Sequence, residues 1–274
     1  MKKLVTCLAV TLALYAMPVN ASVIYSSMPS PYPSNVDSWA YEANSFSELG
    51  RQIQFAGTER NLSTVTVGLS DWARYENWVS QYPSGSYSHD FTLNLYNVGA
   101  TGSYTPGSLI STLTTTASVP LRPTDWSPQN GGGVNGILFN VTFDFSQLGV
   151  TLPDQIVYGL AYNTQNHGPN PLGVNGPYNS LNFGLNTAGP SIGSDGNQNL
   201  AYVNSPANWY TDGGAAGANI FRLDSGYVFD GINYGTPIIE FNASAPVPEP
   251  GTFALLGFGL VGLGAMARRR NKKA

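Results

Sequence analysis

The chain has 274 residues, of which 12% are aromatic and only 10% are charged, and a formal net charge of −4. Seven of its 12 basic residues lie within the first three and last seven positions, so residues 22–246 hold 15 acidic residues, five arginines and no lysine, a net charge of −10. Such a surface repels phosphate backbones, which excludes nucleic acid as a partner and disfavours anionic polysaccharide unless divalent cations bridge it.

The N-terminus has the three parts of a secretory signal peptide. Two lysines follow Met1, an apolar run occupies residues 4–16, and the small residues before and at Ala21 suit cleavage after Ala21. We therefore expect residues 1–21 to direct export through the Sec translocon. Cys7, the only cysteine, lies inside this segment, so the mature chain would have no disulfide and no cysteine-bound metal.

The body, residues 22–244, has the two-residue hydrophobic period of half-buried strands. Residues 136–146 show it best, because Val141, Phe143 and Phe145 alternate with polar side chains. Strands are predicted over residues 52–56, 63–70, 89–98, 109–115, 136–146, 155–162, 180–185, 219–223 and 237–242. Loops rich in Gly and Pro separate them, which predicts an all-β fold, an antiparallel β-sandwich or jelly roll. Whether the body is one domain or two stays open.

No residue of the body is assigned a catalytic role. His89 and His167 are the two histidines, and neither accompanies a G-x-S-x-G turn that a serine triad would use. A glycosidase needs two carboxylates, for which Asp71 and Glu76 are the best candidates, although a polar edge on an aromatic core corner is the alternative. We therefore expect a protein that is not an enzyme.

Aromatic and oxygen-rich segments supply the candidate binding residues. Flat aromatic rings can hold sugars, and the candidates for such stacking are Trp72, Tyr75, Trp78, Trp209 and Tyr210, with Tyr87 nearby; core packing is the alternative for each. Asp195, Asn197 and Asn199 are spaced like calcium ligands, but Leu200 and Pro206 occupy the positions where an EF-hand needs Gly and Glu. Turn hydrogen bonds are the alternative there, so we expect no metal and no cofactor.

The tail, residues 245–274, has the parts of a membrane-targeting signal. A proline-rich hinge over residues 245–251 leads into an uncharged run over residues 252–267, and Arg268, Arg269 and Arg270 open the basic end, residues 268–274. As a helix the run would be about 24 Å long, which is shorter than a hydrocarbon core of about 30 Å, so it would only just cross the membrane. The arginines would stay in the cytoplasm and leave the body outside. A buried core helix is the alternative, and the GxGxxG at residues 257–262 follows no strand, which excludes a dinucleotide site.

This tail resembles the PEP-CTERM sorting signal of Gram-negative bacteria. The resemblance rests on Val247, Pro248, Glu249 and Pro250, on the Gly-rich apolar run and on the arginine cluster. It implies processing near Pro-Glu-Pro by exosortase, a membrane protease-transpeptidase, in species that make extracellular polysaccharide. We expect a transient inner-membrane anchor with the body facing the periplasm, followed by release to the cell surface.

The body is similar to surface domains of the choice-of-anchor R type. The similarity rests on residues 29–38, 47–50, 55–58, 61–67, 136–144 and 156–162, and it implies no catalytic residues. The sequence thus predicts a secreted surface or matrix protein, a carbohydrate-binding or scaffolding module linked to exopolysaccharide and biofilm. A glycan-active hydrolase or lyase and a structural coat protein without a small ligand are the two alternatives.

Overall fold

The structure, a computed structural model, describes residues 21–39, 41, 46–127, 136–162, 166, 167, 170, 171, 181–196, 200–204, 221–224, 235–244, 257 and 259. Residues 21–246 form one compact unit. Residues 1–20 and 247–274 form a second unit, in which Gly257 and Gly259 are the described residues and are helical. Residues 1–20 of the predicted signal peptide and nearly all of the predicted transmembrane run therefore lie outside the described residues. Within the described part of the chain, no helix has both the length and the apolar character needed to span a membrane.

The described part of the body consists almost entirely of strands, with one short helix, α1 (Tyr75–Trp78). The strands are β1 (Ser22–Ser26), β2 (Ser38–Trp39), β3 (Glu48–Gln54), β4 (Asn61–Asp71), β5 (Ser86–Asn97), β6 (Leu109–Pro120), β7 (Ile137–Asp144), β8 (Gln155–Ala161), β9 (Asn166–His167), β10 (Asn170–Pro171), β11 (Leu181–Asn186), β12 (Ser194–Asp195), β13 (Ala201–Asn204), β14 (Arg222–Asp224), β15 (Thr236–Pro237) and β16 (Ile239–Ser244).

The first sheet is organised around β4. Its seven strands follow the order β1-β16-β4-β11-β15, with β2 added to β11 and β7 added to β4. The 11 residues of β4 pair with β7 from Thr64 to Asp71 on one side and with β16 and then β11 on the other. Every pairing in this sheet is antiparallel.

The second sheet has the order β14-β13-β3-β8-β5-β6, with β12 paired to the end of β3. It is also antiparallel throughout, and β5 and β6 form its longest hairpin, with 12 residues in each strand. Two cavities are described below. The loop between β5 and β6 lines one of them, and residues that follow β6 line the other. A separate two-stranded pair joins β9 and β10.

One apolar core joins the inner faces of the two sheets. Phe241 of β16 is fully buried, and its ring lies 6.2 Å from Tyr25, 5.3 Å from Phe55 and 6.1 Å from Tyr158 of the second sheet, measured between centroids. Large side chains at every second position of each strand make this contact possible. The prediction of an all-β, antiparallel fold is confirmed, whereas the jelly-roll connectivity stays a prediction.

Most of the predicted strands have a counterpart in the structure. The predicted strand over residues 136–146 corresponds to β7, in which Val141 and Phe143 are buried, as is Phe145 directly after it. Leu138 points to the other face and is also buried, because Val36 and Ile238 cover it there. The predicted strand over residues 109–115 continues as β6 to Pro120, and β1 and β13 had no predicted counterpart.

A buried polar group links the two sheets. Arg51 of β3 forms an ion pair with Asp195 of β12, with Nη1 and Oδ2 3.2 Å apart and side-chain exposures of 3% and 9%. The hydroxyl groups of Tyr25 and Thr236, which belong to the first sheet, donate to Oδ1 and Oδ2 of Asp195 at 2.6 and 2.7 Å. A buried charge is costly unless it is paired. The ion pair and the hydrogen bonds of Asp195 must therefore form together when the two sheets pack against each other.

Candidate functional site

The outer face of the second sheet carries a continuous row of residues, one from each of six strands. The antiparallel registers align Thr112, Asn94, Gly159, Gly50, Tyr202 and Leu223. Their neighbours Tyr158 and Leu160 point into the main core, so the row faces away from it. Gly159 and Gly50, on neighbouring strands, leave the middle of this row without side chains, and we call this part of the face the outer trough.

Glu48 lies across the outer trough. A Cβ atom on Gly159 would collide with the Glu48 carboxylate, so the glycine makes room for that side chain to pass from β3 over β8 to β5. There, the Asn94 amide and the Tyr96 hydroxyl both donate to Glu48 Oε1 at 2.9 Å. Burial raises the pKa of Glu48, and the two donors oppose that rise. The result is a carboxylate fixed in one position on the outer face.

Three aromatic rings cover the same face beside Glu48. Phe221 lies between Tyr96 and Tyr202, with ring centroids 5.5 and 5.6 Å from its own. Together with Val157 and Leu223 these rings form a small apolar cluster that is separate from the main core. Phe221 precedes β14, and the pairing of β14 with β13 places its ring beside Tyr202.

A cavity of about 360 Å³ opens next to this cluster; we call it the loop cavity. Its lining consists of Gln52, Tyr202 and Leu223 from the sheet and residues 98–104 from the loop between β5 and β6. Tyr104 stands at its rim with 44% of its surface exposed, whereas Tyr202 is 3% exposed. The volume lies at the lower end of the range for small-molecule sites, about 300–1,000 Å³.

Backbone hydrogen bonds hold the loop against the sheet. The N–H of Ser103 donates to the carbonyl of Ala100 at 2.8 Å, and the N–H of Gly107 donates to the carbonyl of Asn97 at 2.7 Å. The N–H of Leu223 donates to the carbonyl of Tyr104 at 2.5 Å, which ties the loop to β14. Gly102 has a φ of +81°, a conformation that favours glycine and turns the loop back toward the sheet.

The chemistry of the loop cavity suits an uncharged, hydroxyl-rich ligand. None of its lining side chains carries a charge. The loop backbone lines the cavity with polar groups, and the tyrosine rings supply apolar faces. The Gln52 amide and the Ser103 hydroxyl also line it, and they donate to Gln155 and to the carbonyl of Thr105, both at 3.1 Å. Burial raises the pKa of the Tyr202 phenol, so it stays a neutral donor at physiological pH.

The predicted stacking residues lie elsewhere. Trp78 is 8% exposed and belongs to the main core, and Tyr75 is half-buried with its hydroxyl donating to the carbonyl of Pro83 at 3.1 Å. Trp72 is half-buried beneath the Arg122 guanidinium, which lies 5.9 Å from the ring centroid. Core packing, the alternative left open above, accounts for Trp78 without a ligand. Trp209 and Tyr210 lie outside the described residues.

The two carboxylates considered for a glycosidase have different environments. Asp71 is completely buried, and burial raises its pKa to about 8. Glu76 is exposed and pairs with Arg74, with Nη1 and Oε1 3.3 Å apart. Asp71 therefore has no open access to a substrate, although the spatial pairing of these two acids stays a prediction without a test.

The remaining candidates are only partly described. Both carboxylate oxygens of Asp195 accept hydrogen bonds within the protein, while Asn197 and Asn199 lie outside the described residues. His89 is half-buried between Phe91 and Tyr162, at 5.3 and 5.8 Å between ring centroids, and burial lowers its pKa. In the described part of the chain, no three His, Cys, Asp or Glu side chains come together as a metal site would need.

Sequence reasoning missed the residues of the loop cavity. The turn residues around Pro106 predicted a loop after β5. This loop was the feature of the sequence that pointed to the region of Tyr104. Nothing in the sequence indicates that the loop folds onto β13 and β14, because those strands come about 100 residues later. Glu48 was missed for the same reason, since its partners belong to another strand.

One family comparison applies, and it covers the tail. Residues 246–270 match the PEP-CTERM protein-sorting motif, which confirms the resemblance of the tail and leaves the body unmatched. The motif indicates an extracellular protein that is exported and sorted to the surface, with exosortase as its processing partner. The motif residues Val247, Pro248, Glu249 and Pro250 and the cluster of residues 268–270 lie outside the described residues. No curated protein and no solved structure matches the chain closely enough to count as similar.

Proposed function

We propose that the body is a carbohydrate-binding or matrix-scaffolding module that acts in extracellular polysaccharide or biofilm after exosortase processing. In this proposal the body is a β-sandwich of the choice-of-anchor R type, and it binds rather than catalyses. The Sec translocon exports it, the apolar run of the tail holds it in the inner membrane facing the periplasm, and processing releases it to the surface.

The observation that carries this proposal is the uncharged, tyrosine-lined loop cavity on the outer face of the second sheet. A net charge of −10 over residues 22–246 works against anionic ligands in general, but a neutral sugar carries no such penalty. Sugar hydroxyls need hydrogen-bonding partners, which the loop backbone offers, and the apolar faces of sugar rings fit tyrosine rings. The cavity thus suits one part of a neutral polysaccharide chain better than an ion.

Binding of neutral glycans by the full chain tests this proposal. Tyr104→Ala removes the rim ring, and we expect it to weaken binding by about threefold to tenfold, the range for losing one aromatic contact. Tyr32→Ala is the matched control, because Tyr32 is equally exposed, at 45%, but does not line the cavity. A glycan array that finds no ligand, or equal losses in both variants, would reject the loop cavity as the site and favour a coat protein without a ligand.

A further inference from the structure

A second, smaller pocket lies where the chain leaves β6. Its volume is about 120 Å³, and its lining consists of Arg74, Glu76, Arg122, Pro123, Thr124 and Trp126; we call it the arginine pocket. The loop cavity precedes β6 and the arginine pocket follows it, so roughly 40 Å of strand separates them. The two sites can therefore be tested independently.

Backbone pairing brings the two arginines together. Arg74 and Arg122 form an isolated parallel bridge, in which the N–H of Tyr75 donates to the carbonyl of Arg122 at 2.9 Å and the N–H of Arg122 donates to the carbonyl of Ala73 at 2.8 Å. Residues 22–246 contain five arginines, so two of the five meet at this point of an otherwise acidic body.

The backbone of Trp72 holds Arg122, whose charge acts on the buried Asp71. Arg122 Nε donates to the carbonyl of Trp72 at 2.9 Å, and its guanidinium lies over the Trp72 ring. Burial raises the pKa of Asp71 to about 8, and the Arg122 charge opposes that rise. Burial thus favours the neutral form of Asp71, which lessens its compensation of the Arg122 charge.

Trp126 adds a donor that the protein leaves unsatisfied. Its indole Nε1 is buried and has no hydrogen-bond partner, and an indole nitrogen can only donate. A buried donor without a partner destabilises the protein, and an acceptor placed in the pocket would recover that loss. Glu76 is the acceptor already present, at the exposed rim, where its carboxylate reaches Arg74. The protein itself thus places a carboxylate at the mouth of this pocket.

We propose that the arginine pocket binds one oxyanion group, a carboxylate or a sulfate, carried by an acidic polysaccharide. Its small volume admits the anionic group and leaves the sugar ring outside. The planar guanidinium groups suit the two-oxygen geometry of such an anion, and the indole N–H adds a third donor. This inference goes beyond the neutral ligand proposed for the loop cavity and does not depend on it.

Titration calorimetry at constant ionic strength tests the inference on the full chain, with glucuronate and inorganic sulfate as probes and glucose as the neutral comparison. Arg74→Gln removes a charge-assisted bond, and we expect affinity for the anions to fall about tenfold. Trp126→Phe keeps the ring and removes the N–H, so a loss of about fivefold is expected. Glu76→Gln removes the competing carboxylate and should strengthen binding.

Arg60→Gln is the matched control, because Arg60 also pairs with an acid, Asp154 at 2.8 Å, but lies outside the pocket. Its effect should be negligible. Polygalacturonate and dextran sulfate then identify the source of the anion: binding of the first supports a carboxylate and binding of the second a sulfate. No anion binding by the wild type, equal binding of glucose, or equal losses in the Arg60 and Arg74 variants would overturn the inference.

Discussion

Replacing Asp71 with asparagine should remove a specific pH dependence of stability. Asp71 is completely buried, and its Oδ1 accepts a hydrogen bond from the N–H of Ala73 at 3.3 Å. Burial raises the pKa of Asp71 to about 8, against the opposing effects of the Ala73 N–H, the Arg122 charge, the Trp72 N–H and the Tyr87 hydroxyl. Asparagine has the shape of the protonated acid and keeps an acceptor for Ala73.

The magnitude follows from the two pKa values. An aspartate in the unfolded chain has a pKa of about 3.9, so between about pH 4 and pH 8 the native state holds a proton that the unfolded state has released. The free energy of unfolding therefore falls as the pH rises through this window, by about 1.4 kcal/mol per pH unit. Between pH 5 and pH 7 the loss from this one group is about 3 kcal/mol.

Urea unfolding of the full chain at pH 5, 6 and 7, followed by tryptophan fluorescence, measures the effect. Wild type and Asp71→Asn should have similar stability near pH 4, and the variant should be more stable by an amount that grows by about 3 kcal/mol from pH 5 to pH 7. The exposed Asp90 provides the control, because Asp90→Asn makes the same substitution outside the core. Parallel curves for wild type and Asp71→Asn would refute the reasoning about the buried acid.

Three further predictions concern the tail and the core. Glu249→Ala, or deletion of residues 268–270, should leave the body folded but retained at the inner membrane, as measured by fractionation of producing cells; unchanged release would contradict this. Gly50→Ala should cost about 3 kcal/mol or more in chemical unfolding, because its Cβ would collide with the carbonyl oxygen of Tyr158; a stable variant would disprove the close approach. Phe241→Ala should cost about 3–5 kcal/mol, since its ring is fully buried between both sheets, and a loss below about 1 kcal/mol would argue against that packing.

The sequence predicts those strands whose burial is decided locally. β7 is an example: one of its faces packs on the core, and the side chains on that face, every second one along the strand, are apolar. This alternation is visible in the sequence. β1 is the opposite case: its short apolar run has no alternation, and it becomes a strand by pairing with β16, where Ser22 faces Ala243. Because β16 lies more than 200 residues away, the local sequence of β1 does not indicate this pairing.

The candidate site was predictable to a smaller extent than the fold. A period of two could place Tyr96 on an outer face, but the contact between Glu48 and Tyr96 depends on the register of β3, β8 and β5. The arginine pocket depends in the same way on the bridge between Arg74 and Arg122. The tail could be predicted from the sequence, because its sorting motif is a contiguous segment. Recognition of such a motif does not depend on pairing between distant strands.

Fractionation of cells that make both exosortase and extracellular polysaccharide tests the central claim most directly, namely that the tail delivers a glycan-binding body to the matrix. The protein is quantified in the polysaccharide fraction before and after enzymatic degradation of the polysaccharide. We predict that wild type and Tyr32→Ala copurify with intact polysaccharide and are released by its degradation, while Tyr104→Ala is depleted from that fraction. Wild-type protein in the cytosol with residues 1–21 still attached, or a distribution that ignores the polysaccharide in all three proteins, would contradict the account.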